Sequence, residues 1–157
     1  EGTGPRGDFV LDGETIAGLP AGRQVFLAGG IGITPFRAFI KYAIDKQFST
    51  PMHLIYSNST PEEIVFAEEL RIFAAECAHL TDTHTITHPE AAETPWHGLS
   101  GRINAEMIKK LLSTNYKLQP TTYWVCGPPA FVSGMQDELR KLKIDMDRIE
   151  VEQFTGY

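Results

Sequence analysis

The sequence has 157 residues, 42% of them hydrophobic, and a formal net charge of −6; that supports one domain burying about two-thirds of its unfolded surface and leaves no room for a second full domain. The acidic balance, with Lys and Arg scattered rather than clustered, argues against a nucleic-acid surface, and no apolar run approaches the roughly 20 residues of a membrane span. With no leader segment and only two cysteines, Cys77 and Cys126, the chain reads as soluble and cytoplasmic, in a reducing compartment.

Residues 1–12 alternate turn residues with a short strand, Phe9-Val10-Leu11, that has no obvious partner nearby. It reads as the end of another unit. Gly13 to Gly22 follows as a linker, so the domain boundary is placed near Gly22, dividing 1–21 from 22–157. Val25-Phe26-Leu27 is then a continuous apolar run, as expected of a central parallel strand covered on both faces. It leads into Gly29-Gly30-Ile31-Gly32. Glycines allow backbone torsions closed to other residues and let main-chain N–H groups approach a ligand without a Cβ in the way. Thr34 and Pro35 read as a helix N-cap and first helical residue. A helix start aimed at a bare glycine turn suits a phosphate, because unpaired N–H groups and the helix dipole both favour an anion there. Gly30-Ile31-Gly32 matches only half of the dehydrogenase G-x-G-x-x-G fingerprint, and the second strand ends in Ser57, Asn58 and Ser59 without the acidic residue that fingerprint requires.

Phe36, Phe39, Ile40, Ala43 and Ile44 recur at helical spacing. Met52 to Tyr56 is the next strand. Thr60-Pro61-Glu62-Glu63 carries a capping box and opens a helix predicted to run through Phe66, Leu70, Phe73, Cys77 and Leu80. Thr81 to His88, β-branched at alternate positions, reads as a polar third strand near a sheet edge. His84 and His88 would lie about 13 Å apart along it, too far for one metal ion. Pro89 to Gly101 is a long loop of a kind that is often functional. Asn104 is expected to cap a helix carrying Ile108, Leu111 and Leu112. The strand Thr122 to Cys126 ends in Gly127-Pro128-Pro129, a helix follows with Phe131, Met135, Leu139 and Leu142 on its apolar face, and Arg148 to Phe154 is the last strand. Strands alternating with amphipathic helices predict an α/β, three-layer, doubly wound sheet of five parallel strands. Ligands of such sheets bind at the carboxyl ends of the strands. That rule gathers Gly29 to Thr34, Ser57 to Ser59, Cys126 to Pro129 and the C-terminal tail at one edge.

Taken together, Gly29-Gly-Ile-Gly-Ile-Thr-Pro35, Tyr56-Ser-Asn-Ser-Thr-Pro-Glu-Glu63, Phe66-Ala-Glu-Glu-Leu70, Gly98-Leu-Ser-Gly-Arg-Ile103, Val125-Cys-Gly-Pro-Pro129 and Glu152-Gln-Phe-Thr-Gly-Tyr157 resemble, in order, the pyridine-nucleotide domain of the ferredoxin–NADP reductase superfamily. Gly4 to Phe9 resembles the glycine-rich end of that family's FAD-binding barrel. The resemblance implies an FAD-dependent NAD(P)H oxidoreductase in which Gly30, Ile31, Gly32 and Thr34 hold the pyrophosphate, with Thr34 also near the flavin, and Gly29 and Pro35 are further cofactor-binding residues of the same turn. Cys126 would sit beside the nicotinamide, with Gly127 and Pro128 letting the ring approach, and Pro129 and Phe131 would be further cofactor-binding residues. Glu152 matches an acidic residue near the active site, and Phe154 or Tyr157 an aromatic shield of the flavin. The family's Arg-x-Tyr-Ser/Thr flavin motif and most of the barrel are absent, so the chain resembles a fragment or one segment of a split enzyme, inactive alone, whose partners would be an FAD-binding domain or chain and an iron–sulfur, haem or small-molecule acceptor. The alternative is a regulatory module that uses the fold to bind nucleotide without redox turnover. Ser57, Asn58 and Ser59 are neutral, and Glu62 and Glu63 would repel a 2′-phosphate, so NADH is favoured over NADPH.

Overall fold

A run of apolar side chains with no polar face has to be covered from both sides, and strand β1 (Arg23–Gly29) is buried at every position after Arg23. Burial of Phe26 or Leu27 contributes at most about 2–3 kcal/mol each, which is why this strand lies inside the sheet. The structure, a computed structural model, describes residues 22–112 and 120–153. The expected strand at Phe9 to Leu11, the 1–21 segment and the aromatic candidates Phe154 and Tyr157 lie outside the described residues.

Five further strands, β2 (Met52–Asn58), β3 (Leu80–Ile86), β4 (Leu99–Ser100), β5 (Thr121–Gly127) and β6 (Ile149–Gln153), join β1 in one sheet of order β4-β3-β2-β1-β5-β6. Every pairing is parallel. The chain steps outwards from β1 to β4 and then returns to the other side of β1, so the topological switch point falls between β1 and β5. Helices α1 (Ile33–Asp45) and α2 (Ala67–Glu76) cover one face, and α3 (Ala105–Leu112) and α4 (Pro129–Lys141) the other. In the first layer Phe26 meets Phe36 and Phe39 with ring centroids 4.9 and 5.0 Å apart. In the second, Leu27, Ile55 and Val125 pack against Ile108, Val132 and Leu139.

The three-layer α/β architecture is the expected one, with a sixth strand in place of five. The addition is β4, two residues from the long loop, held by Thr85 opposite Leu99 and Ile86 opposite Ser100. Two residues carry no periodicity, and pairing with β4 moves β3 one place in from the edge. Two helix starts also differ. Gly30–Gly32 winds as a 3-10 turn that runs directly into α1, whose N-cap is Gly32, so Thr34 and Pro35 lie inside the first helical turn and Thr34 makes no cap. Pro61–Glu63 is a separate 3-10 turn with no side-chain cap from Thr60, and α2 starts only at Ala67, after Phe66 in a left-handed conformation at φ 62°. Leu80 opens β3 rather than closing α2. Asn104 does cap α3: its Oδ1 accepts the Met107 N–H at 2.8 Å.

Candidate functional site

At the carboxyl end of β1 the glycines are small for different reasons. A Cβ on Gly29 would lie 2.7 Å from the Phe131 ring, and one on Gly127 would meet the same ring at 2.7 Å. Phe131, at the start of α4, therefore packs against both strand ends. A Cβ on Gly32 would come within 2.1 Å of the Cys126 carbonyl oxygen. Its missing side chain lets the β1 turn close on the β5 end, across the switch point. Only Gly30 fits the expectation of open space: nothing lies within 4 Å of a Cβ built there, and its φ is +56°. The bare approach to the backbone is thus concentrated at Gly30, with Ile31 beside it exposed at 42%.

Cys126 is fully buried and lies opposite Glu152 in the β5–β6 pairing. Burial, and secondarily the Glu152 carboxylate, push its thiol up to about 12. At neutral pH it is a protonated packing group and not a thiolate nucleophile. Both residues proposed to sit nearest the chemistry are therefore adjacent at the end of the same strand pair.

Beside the turn is a cavity of about 550 Å³, bounded by Ser57, Thr87 and Arg102 on the β2–β3 side and by Pro128, Phe131 and Glu138 on the α4 side. Of the candidate cofactor residues it brings together Ser57, Pro128 and Phe131. Gly29, Gly32, Cys126 and Gly127 are buried behind it, Thr34 and Pro129 are exposed, and Pro35 is half-buried. Asn58 is buried with its side chain beside the Tyr56 hydroxyl, while Ser59 is partly exposed; backbone carbonyls of the two receive Thr87 and His88 N–H groups at 2.9 and 2.8 Å. Glu138 spans the far end of the cavity: it receives the Ala105 N–H at 2.8 Å and Lys141 Nζ at 2.9 Å, and these contacts hold its carboxyl below the usual range. Neither Thr87 nor Glu138 is marked by the sequence. Thr87 directly follows β3, and Glu138, three residues after Met135, looks like an ordinary solvent-facing carboxylate.

The histidines make no common site. His84 bonds Asp82 at 3.0 Å within β3, while His88 lies beyond the strand and contacts Glu90 at 3.2 Å. Among the described residues no helix is long and apolar enough to cross a membrane.

A parallel, doubly wound sheet with a glycine turn and a cavity at its switch point defines a nucleotide-binding α/β domain. The family model for the oxidoreductase NAD-binding domain matches residues 26–137, and the chain belongs to that family. It is 27% identical over 136 residues to the glycine betaine monooxygenase reductase subunit of Pseudomonas aeruginosa, covering 87% of this chain and 36% of that one. It is 32% identical over 145 residues to the NADH nitrate reductase 1 of Oryza sativa subsp. japonica, covering 90% of this chain and 15% of that protein. The chain thus spans only about a third or less of these relatives. Among solved structures, the Amycolatopsis cytochrome P450 reductase superposes with a TM-score of 0.76 at 20% identity, covering 98% of this chain and 43% of that one. The cytochrome b5 reductase domain of Ulva prolifera nitrate reductase gives 0.71 at 23% identity, covering 83% and 49%.

Proposed function

We propose that this chain is the pyridine-nucleotide-binding portion of a flavin-dependent oxidoreductase, working in the cytoplasm with an FAD-binding domain or chain outside residues 22–153 and an iron–sulfur, haem or small-molecule acceptor. The observation that carries this reading is the open turn at Gly30, at positive φ and at a helix N-terminus, on the switch point beside the cavity. Bound NAD(P)H supplies the hydride that the flavin accepts. The chain's own part is binding and orientation. The Gly30 to Gly32 amides donate to the pyrophosphate, Ser57 and Thr87 border the adenosine end, and Pro128 with Cys126 and Glu152 lies towards the nicotinamide end. The space over Gly30 fits a ligand rich in acceptors.

NADH is the favoured nucleotide. A 2′-phosphate is held by guanidinium or ammonium groups, and Arg102 is the sole cation among the described residues that line the cavity. Glu62, in the 3-10 turn beyond the carboxyl end of β2, keeps its carboxylate on the Glu93 and Thr94 amides. Calorimetric titration with both nucleotides tests the reading. NADH binds more tightly, and Arg102→Ala weakens NADPH about fivefold or more while NADH changes less than about twofold. Binding of neither nucleotide overturns the function, and tighter NADPH binding overturns the preference alone.

A further inference from the structure

The ring of Tyr56 is fully buried in β2, packed with the first core layer, yet its hydroxyl reaches out of that layer to the turn: it donates to the Gly30 carbonyl at 2.7 Å. The Val65 N–H approaches the same oxygen at 3.4 Å, from the segment just before the left-handed Phe66. We propose that the Tyr56 hydroxyl is a positioning group for nucleotide binding, fixing the Gly30–Ile31 peptide so that its N–H is presented to the cofactor before the cofactor arrives.

The argument rests on the planarity of the peptide. In a trans unit the C=O and the following N–H point in opposite directions. Anchoring the Gly30 carbonyl inwards on Tyr56 therefore turns the Ile31 N–H away from the core, on the side where Ile31 is exposed. Gly30 has no side chain to pack, it sits at φ +56°, and no atom lies within 4 Å of where a Cβ would be; its peptide is held by the backbone bonding of the 3-10 turn and by the Tyr56 hydroxyl, the one side-chain group among the described residues that donates to its carbonyl. A donor already aimed binds without the cost of ordering it. Burial pushes the Tyr56 hydroxyl above its ordinary range, so it remains a donor at neutral pH. The ring itself packs irrespective of the hydroxyl, which separates its structural part from this role.

The inference depends on the pyridine-nucleotide reading, and one experiment separates the two. Wild type and Tyr56→Phe are titrated calorimetrically with NADH and with ADP-ribose, which share the pyrophosphate. Tyr56→Phe is expected to weaken both by about tenfold, roughly one hydrogen bond's worth, while still melting cooperatively. Equal affinities for the two proteins, with only the melting point lowered, would reduce Tyr56 to a core residue and overturn the proposal. A wild type that binds neither ligand would overturn the functional reading beneath it. Should Tyr56→Phe fail to fold, wild type decides by NMR. A pre-set peptide keeps its Gly30 carbonyl carbon shift on adding NADH while the Ile31 amide moves, and a large displacement of the carbonyl would show that the peptide reorients on binding, contrary to the proposal.

Discussion

Gly30 and Gly32 stand two positions apart and are glycine for opposite reasons, one conformational and one steric. At Gly30 a methyl group meets nothing but has to adopt φ +56°, so Gly30→Ala is expected to cost about 1 kcal/mol. At Gly32 the methyl would lie 2.1 Å from the Cys126 carbonyl, and Gly32→Ala should cost about 2 kcal/mol or more, because the β5 end must move. Urea denaturation of the two variants checks this, and equal losses would contradict the assignment. Cys126 is where that displacement would be felt. On the proposed function, with the FAD-binding part present, Cys126→Ser should slow flavin reduction at saturating NADH and leave the nucleotide dissociation constant nearly unchanged, since most binding comes from the remote end. An error of about 1 Å in the reacting geometry can cost on the order of a hundredfold. Stopped-flow reduction over a range of NADH concentrations separates the two constants, and an unchanged limiting rate would make Cys126 ordinary core packing.

Between β2 and α2 the local signals favour one continuous helix, and the structure breaks it. Val65 turns its N–H to Tyr56, Phe66 takes the left-handed conformation, and Arg37 of α1 lies 5.3 Å over the Phe66 ring while pairing with Glu69. Contacts to two other elements thus outweigh helix propensity over three residues. The preceding 3-10 turn is tied to the loop before β4, where Glu62 receives the Glu93 and Thr94 N–H groups at 3.2 and 3.3 Å. Partial desolvation works against the Glu62 charge, and the loop hydrogen bonds outweigh it, so its carboxyl titrates below the usual range. The sign follows: the ionised form is the one the folded loop favours, so the tether is complete above the ordinary carboxylate range and lost as pH falls through the lowered value. Glu62→Gln should speed amide exchange at Glu93 and Thr94 and leave the melting temperature almost unchanged. Unchanged exchange would show that the loop is held by other contacts.

For the molecule as a whole, the clearest pH dependence comes from the amino-terminal side of the sheet, remote from the cavity. His53 is 7% exposed, bonds Thr83 Oγ1 at 2.9 Å, and is lowered to about 4, by burial first and by Arg23 second, with Asp82 opposing. The unfolded chain takes up the proton near pH 6.5 and the folded one only near pH 4. Stability from a neutral buried imidazole is therefore full above pH 6.5 and falls as pH drops towards 4, by up to about 3 kcal/mol. Denaturation at pH 7 and pH 5 should show wild type losing more stability than His53→Gln, and equal losses would place the imidazole in contact with water.

Periodicity and punctuation in the sequence were enough for the layered α/β fold, five of its six strands, the α3 cap at Asn104 and the switch-point location of the glycine turn, because each is written in residues near one another along the chain. The apolar run of β1 has one stable environment, between two helical layers, and the glycines that follow it mark a turn whatever the partner. The reasons for the individual glycines were decided by tertiary structure alone. Gly29 and Gly127 are bare because Phe131, about a hundred residues from the first of them, lies across both, and Gly32 is bare because the end of β5 closes on it. The same holds for Arg102 and Glu138, which border one cavity from separate elements, and for the Tyr56 hydroxyl, which reaches a carbonyl 26 residues back. Hydrophobic periodicity reports which face of an element is covered, while what meets a glycine or a hydroxyl depends on how the covered layers are brought together across the sheet.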